Sequence, residues 1–222
     1  MKIALVYTGI TPELQNDVER EVNALCPNAE LVTYKDPSII QEAVKAGYVT
    51  KEAAARLVKM FMSATEDHAD AILNICSSVG YVADACRDLG NFTGVPIVRI
   101  DEEMCREAVR NGKRIGVMAT LPTTLNPTKG TVLRVAQEMD RRVELVDALV
   151  EGGFGLDQDQ FKALMLKYAL QIKEKVDVIL FAQGSMAYAE SYIAEQTGKI
   201  VLSSPRFGAL ALRRALESKG LI

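Results

Sequence analysis

The chain has a single histidine among its 222 residues, and its four cysteines, at positions 26, 76, 86 and 105, include no pair at C-x-x-C spacing. These absences leave neither a zinc-site pattern nor a disulfide framework, so reduced thiols and no metal are expected. No G-x-G-x-x-G occurs. Gly152-Gly153-Phe154-Gly155 has no Lys-Ser/Thr after it and does not directly follow a strand-like run, so it reads as a loop and not as a phosphate cradle. Lysines and arginines are scattered, the formal net charge is −3 and the pI is near 5.4, which removes the long-range attraction that nucleic acid or an anionic membrane would require. The apolar run that begins at Ile3 stops at Thr8, too short for a signal-peptide core or a membrane span, and a cytoplasmic location is the expectation. What remains is ordinary globular composition, 49% hydrophobic and 25% charged, sufficient for one large or two small α/β domains.

The most informative feature present is an internal repeat. Residues 70–81 read D-A-I-L-N-I-C-S-S-V-G-Y and residues 177–188 read D-V-I-L-F-A-Q-G-S-M-A-Y. Sliding one onto the other puts Gln183 on Cys76, Ser185 on Ser78 and Tyr188 on Tyr81. The similarity continues in the same order elsewhere: Ile3 to Thr8 aligns with Ile115 to Thr120, Thr11 then falls on Thr123, Glu30-Leu31-Val32 recurs at Glu144-Leu145-Val146, and Thr93-Gly94 recurs at Thr197-Gly198. Shared order of this kind marks a duplicated half-domain.

Short apolar runs near 2–7, 30–34, 70–76 and 95–100 alternate with helix-like stretches, and the alternation repeats at 113–119, 143–150, 176–182 and 199–203. This predicts an α/β fold of two similar lobes with parallel sheets, related by pseudo-twofold symmetry. Thr50 is placed as the N-cap of a helix through about Asp67, and residues 157–175 repeat it with Phe161, Leu164, Met165, Tyr168 and Ile172 as the apolar stripe. The last helix, from about Pro205, follows the final strand of the second half and is expected to cross over. That gives one lobe from 1–98 plus 205–222 and another from 99–204, with the site in the cleft between strand-end faces.

Cys76 ends a buried-type strand just before Ser77-Ser78, where a helix N-terminus would lower its pKa and stabilise a thiolate; the alternative is a small buried apolar residue. Ser77, Ser78, Thr8, Thr11, Thr120, Thr123 and Thr124 all fall in strand-end loops, where hydroxyls beside helix N-termini can hold a small carboxylate or can act as N-caps and turn residues. Asn74 shares the strand face of Cys76 and either fixes a ligand or bonds a neighbouring loop; its repeat partner is the apolar Phe181. His68 sits at a helix end and reads as a C-terminal cap residue. Cys26, Cys86 and Cys105 read as core or turn residues.

The duplicated half, the N-I-C-S-S turn and the loop I-G-V-M-A-T-L-P-T-T together resemble the aspartate/glutamate/hydantoin racemase superfamily over nearly the whole chain. The resemblance implies a cofactor-independent enzyme in which two cysteines, one per half, exchange a proton at a carbon next to a carboxylate. Cys76 matches the first. The second falls at Gln183, which has no proton of suitable acidity, and there the chain departs from the pattern. The superfamily includes arylmalonate decarboxylase, which resembles a racemase with one cysteine lost, and maleate isomerase, which uses a cysteine as nucleophile. The expected function is therefore a racemase-like isomerase acting on a small carboxylate or amino-acid-like substrate, with Cys76 as acid/base or nucleophile. Thr8, Asn74, Ser77, Ser78, Thr120, Thr123, Gln183, Gly184 and Ser185 are its expected binding residues, and N–H groups around Ser77, Gly184 and Ser185 are placed to stabilise an oxyanion. A one-cysteine lyase or decarboxylase, and a non-catalytic carboxylate-binding protein, remain open as alternatives. So does self-association into a homo-oligomer.

Overall fold

The computed structural model describes residues 1–153 and 156–222, so that Phe154 and Gly155 of the expected glycine loop lie outside the described residues. In the first strand, Ile3, Leu5 and Tyr7 point one way and Ala4 and Val6 the other, yet all five are fully buried. A strand apolar on both faces belongs in the middle of a parallel sheet with helices on each side.

The order is β1 (Lys2–Tyr7), α1 (Pro12–Leu25), β2 (Glu30–Lys35), α2 (Pro37–Ala46), α3 (Lys51–Glu66), β3 (Ala71–Ile75), a 3₁₀ turn (Ser77–Val79), α4 (Gly80–Ala85), α5 (Arg87–Thr93) and β4 (Ile97–Arg99). It continues as α6 (Glu102–Asn111), β5 (Arg114–Ala119), α7 (Pro122–Glu138), β6 (Glu144–Leu149), α8 (Gln158–Ile172), a 3₁₀ turn (Lys173–Lys175), β7 (Val178–Phe181), a 3₁₀ turn (Gly184–Ala189), α9 (Glu190–Thr197), β8 (Ile200–Leu202) and α10 (Ser204–Ser218). Two four-stranded sheets result, ordered β2-β1-β3-β4 and β6-β5-β7-β8, with every pairing parallel. The chain divides into two compact units, Met1–Glu103 with Pro205–Ile222, and Met104–Ser204.

In the first unit, Ile3, Leu5, Tyr7, Leu73 and Ile75 pack with α1 and with Ala209, Leu212 and Leu216 of α10. The other face packs Ala4, Val6, Ile72 and Ile97 against Leu57 and Phe61 of α3 and Ala83 of α4. In the second, Met118, Ile179 and Phe181 pack against Met165 and Ala169 of α8 and Ile193 of α9.

The duplication reaches into hydrogen bonds. Asp70 accepts from the backbone N–H of Lys2 at 2.8 Å, and Asp177 accepts from those of Lys113 at 3.1 Å and Arg114 at 2.9 Å, so one aspartate ties the start of the central strand in each unit. Gly94 and Gly198 end α5 and α9 with φ of 73° and 68°, a left-handed conformation that suits glycine. Thr50 caps α3 through Ala53 N, Asp157 closes a capping box on α8, and His68, φ 61°, takes the left-handed position just past α3.

Two details differ from the sequence reading. Thr11 is the N-cap of α1, accepting from Leu14 N, whereas the N-cap of α7 is Leu121 and Thr123 lies inside the first turn. Pro12 and Pro122 both occupy the helix start that proline favours, and the connection from Thr120 is shorter than that from Thr8, so Thr11 and Thr123 are not structural equivalents. The second difference is that Cys76 opens a 3₁₀ turn leading into the six-residue α4 and not a long helix.

The Arg114 side chain, donating to Asp177 Oδ1 at 2.6 Å, and the N–H groups of Arg114 and Lys113 bring the Asp177 carboxyl down to about 2. Because this lies below the unfolded value of about 3.9, the stabilisation is complete above about pH 5 and is lost as pH falls through about 2. The difference in melting temperature between wild type and Asp177→Asn should therefore be largest near neutrality and close toward about pH 2. A difference independent of pH would contradict the assignment.

Candidate active site at the strand ends

Tyr7 pairs with Ile75 in the ladder between β1 and β3, so the next residues, Thr8 and Cys76, stand side by side as the strands end. Cys76 keeps an extended backbone, φ −162° and ψ 113°, and its side chain falls on the same face as Asn74. Asn74 is fully buried; its Nδ2 donates to the Cys76 carbonyl at 3.1 Å and fixes the turn. Its Oδ1 and the Thr8 hydroxyl are buried with no hydrogen-bond partner. The structural reading of Asn74 applies at its Nδ2, while its Oδ1 is left without a partner. Ser77 and Ser78 are buried behind the turn.

Burial pushes the Cys76 thiol above its ordinary range. The Thr8 hydroxyl and the backbone N–H groups of Val79 and Ser78 oppose the shift, and the Asp101 carboxylate adds to it. The Thr8 hydroxyl favours the thiolate form while having no hydrogen-bond partner in the folded protein. The expectation of a thiolate stabilised by a helix N-terminus is therefore corrected. A 3₁₀ turn followed by six helical residues supplies two N–H groups and little dipole, and desolvation of the charged form prevails. Cys26, Cys86 and Cys105 are all buried, whereas Cys76 is half-buried.

The second unit builds the same corner differently. Met118 pairs with Phe181, and Ala182 N donates to Met118 O at 2.9 Å, which brings Thr120 beside Gln183. Gln183 Oε1 accepts from Thr120 N at 2.7 Å while its Nε2 donates to Thr120 Oγ1 at 2.7 Å. The amide is thus closed in a ring on its neighbour, with one of its two N–H bonds engaged there. Gly184 is half-buried and Ser185 exposed at the start of the following 3₁₀ turn. Thr123 is half-buried with its hydroxyl unpartnered, and Thr124 is buried. Each unit therefore gathers its own expected residues: Thr8, Asn74, Cys76, Ser77 and Ser78 in one, and Thr120, Thr123, Gln183, Gly184 and Ser185 in the other.

Sequence reasoning missed the charged groups around the Cys76 corner. Arg99 is 2% exposed and bonds Asp101 and Asp84. Gly80 is glycine because a Cβ there would sit 2.3 Å from the Arg99 guanidinium carbon. The available signal was an arginine inside the apolar run Pro96 to Ile100 with an acid two residues on. Among the described residues, no group of three or more His, Cys, Asp or Glu side chains could hold a metal ion, and no helix is long and apolar enough to cross a membrane.

Comparison with known proteins agrees with this architecture. No curated protein sequence matches the chain. Among solved structures, a glutamate racemase from Bacillus anthracis superposes with a TM-score of 0.73 at 18% identity, over 99% of this chain and 82% of that one. An allantoin racemase from Klebsiella pneumoniae gives 0.68 at 16%, over 100% and 89%, and the aspartate racemase of Picrophilus torridus gives 0.64 at 13%, over 99% and 94%. At such identities the likeness is one of fold, and fold alone does not fix chemistry. Membership rests on the family model described as Asp/Glu/Hydantoin racemase, which matches residues 9–212. By that match, the chain belongs to the Asp/Glu/hydantoin racemase family.

Proposed function

We propose that the protein is a racemase-like isomerase acting at the carbon next to a carboxylate of a small acid or amino acid, with Cys76 exchanging the proton. The observation that carries this reading is the Cys76 corner, where a thiol stands beside two buried oxygens, Thr8 Oγ1 and Asn74 Oδ1, without partners. Each such group costs roughly 1–3 kcal/mol if left unpaired, which a bound substrate would offset. The chemistry of the two ends is complementary. The Thr8 hydroxyl can donate to a carboxylate, and Asn74 Oδ1, whose amide N–H is already engaged, can only accept. A substrate with a carboxyl-type oxygen and an N–H nearby, as in an amino acid or a hydantoin, suits both.

Binding through Ser77, Ser78, Thr120, Thr123, Gly184 and Ser185 belongs to the same proposal. With Gln183 at the place of the second base, proton return to the other face falls to a group other than a thiol there. That observation, together with a Cys76 thiol kept protonated by burial, favours a second reading: a lyase or decarboxylase in which bond cleavage makes the carbanion and Cys76 protonates it.

Incubation in deuterated water with amino acids, hydantoins and small dicarboxylates separates these readings by NMR. The isomerase places deuterium on the α-carbon of the recovered substrate; the lyase places it on a product that has lost a group. Cys76→Ser should slow the reaction by about 10²-fold or more, and a variant with full turnover would remove Cys76 from the mechanism. Where the thiolate acts as base, the wild-type exchange rate should keep rising with pH beyond the usual thiol value of about 8.5, because the thiol titrates above it. A plateau well below that pH would contradict a thiolate base. Ligand-induced thermal stabilisation without labelling or turnover would leave a binding protein.

A second expectation concerns Gln183. Gln183→Cys supplies an acid at that position and releases Thr120 from its ring, so exchange with inversion should appear or increase, read by polarimetry against wild type and against Cys76→Ser/Gln183→Cys. Wild type racemising as fast as the variant would show that Gln183 does not occupy the place of a missing base.

A further inference from the structure

Asn74 of β3 pairs with Arg99 of β4, and Ile100 N carries the ladder one step further by donating to Asn74 O at 3.1 Å. The next position along puts Asp101 beside Cys76. Residues paired in a parallel sheet point to the same face, so Thr8, Cys76 and Asp101 form a row across the ends of three adjacent strands, with Val6, Asn74 and Arg99 as the row beneath.

The second row contains an unusual group. Arg99 Nε and Nη2 each donate to one oxygen of Asp101 at 2.9 Å, and Nη1 donates to Asp84 Oδ2 at 2.6 Å. Arg99 and Asp101 are 2% and 1% exposed. A buried pair of this kind recovers little or nothing over apolar side chains of the same size, so stability does not explain its presence. The second unit, which has Gln183 where the first has Cys76, has no such pair at the equivalent position. Leu180 pairs with Leu202 where Leu73 pairs with Val98, so Ser203 takes the place of Arg99, and its hydroxyl donates to Glu190.

Other charged groups around the Cys76 corner are compensated by their own neighbours. From α2, Glu42 accepts from Thr50 and Arg56, and Asp36 at its N-cap accepts from Ser38. Lys45 lies in the last turn of that helix. From α4, Asp84 is shared between Arg99 and Arg87, and from α6, Glu102 accepts from Arg87. Asp101 is the carboxylate whose field reaches the sulfur.

We propose that Asp101, held in place by Arg99, is a positioning residue that favours the protonated form of the Cys76 thiol in the empty site. The two parallel N–H···O bonds fix the carboxylate in one orientation, and the Gly80 backbone, with no Cβ, leaves room for the guanidinium. The inference rests on Cys76 being the reacting thiol, and the experiment separates the two claims.

Alkylation of the full-length protein by limiting iodoacetamide, with peptide mapping, is followed across about pH 6–10. Asp101→Asn should move the midpoint for Cys76 to lower pH by about half a unit or more, roughly a threefold faster reaction near neutrality. Asp101→Glu should move it back toward wild type. Asp84→Asn, which loosens Arg99 from its other side, should lower the melting temperature without moving the midpoint. If Asp101→Asn does not fold, Arg99→Met/Asp101→Leu, which replaces the pair with apolar side chains, should show the same acid shift. An unmoved midpoint in the folded variant, or an equal shift in Asp84→Asn, overturns the role of Asp101 while leaving the reactive thiol intact. Wild type in which Cys76 is not the preferred site of alkylation overturns the thiol reading and this inference with it.

Discussion

The parallel ladder between the two central strands of each unit governs the chemistry at its end. Once Tyr7 is paired with Ile75, and Met118 with Phe181, the residues that follow have no freedom to choose their neighbours. Thr8 must meet Cys76, and Thr120 must meet Gln183. The ladder is itself held by strands buried on both faces, where a slip of one residue would turn every side chain to the opposite layer of helices. Core packing and site geometry are therefore one constraint expressed at two ends of the same strands.

The two corners use that constraint in opposite ways. In the second unit the Gln183 amide satisfies both the backbone and the hydroxyl of Thr120, and Phe181 fills the position below with apolar bulk. In the first, Asn74 turns its donor to the Cys76 carbonyl and leaves an acceptor buried, with the Thr8 hydroxyl buried beside it. At the corner itself, Gln183 and Thr120 satisfy each other, whereas Asn74 Oδ1 and Thr8 Oγ1 are left without partners.

Much of this was readable in sequence because duplication and alternation are local signals. The strands of the described residues, the cap at Thr50 and the equivalence of Cys76 with Gln183 all follow from residue type and spacing. The equivalence of Thr11 and Thr123 failed because proline at the helix start, and not threonine matching, decides where α1 and α7 begin. The direction of the Cys76 shift was misjudged because a strand-to-helix junction shows its N–H groups in sequence but not its burial. Asp101 escaped notice because only the register of β3 on β4 brings it next to a thiol so distant in the chain.

Gly80 carries one more implication. A side chain there would collide with the guanidinium of Arg99, yet the obstacle is the tip of another side chain and not backbone. The penalty for any substitution at residue 80 is thus conditional on what occupies residue 99, and the converse holds as well. In mutational terms the two positions are epistatic: their effects will not add, and a side chain at the start of α4 requires the buried arginine to give up its present place.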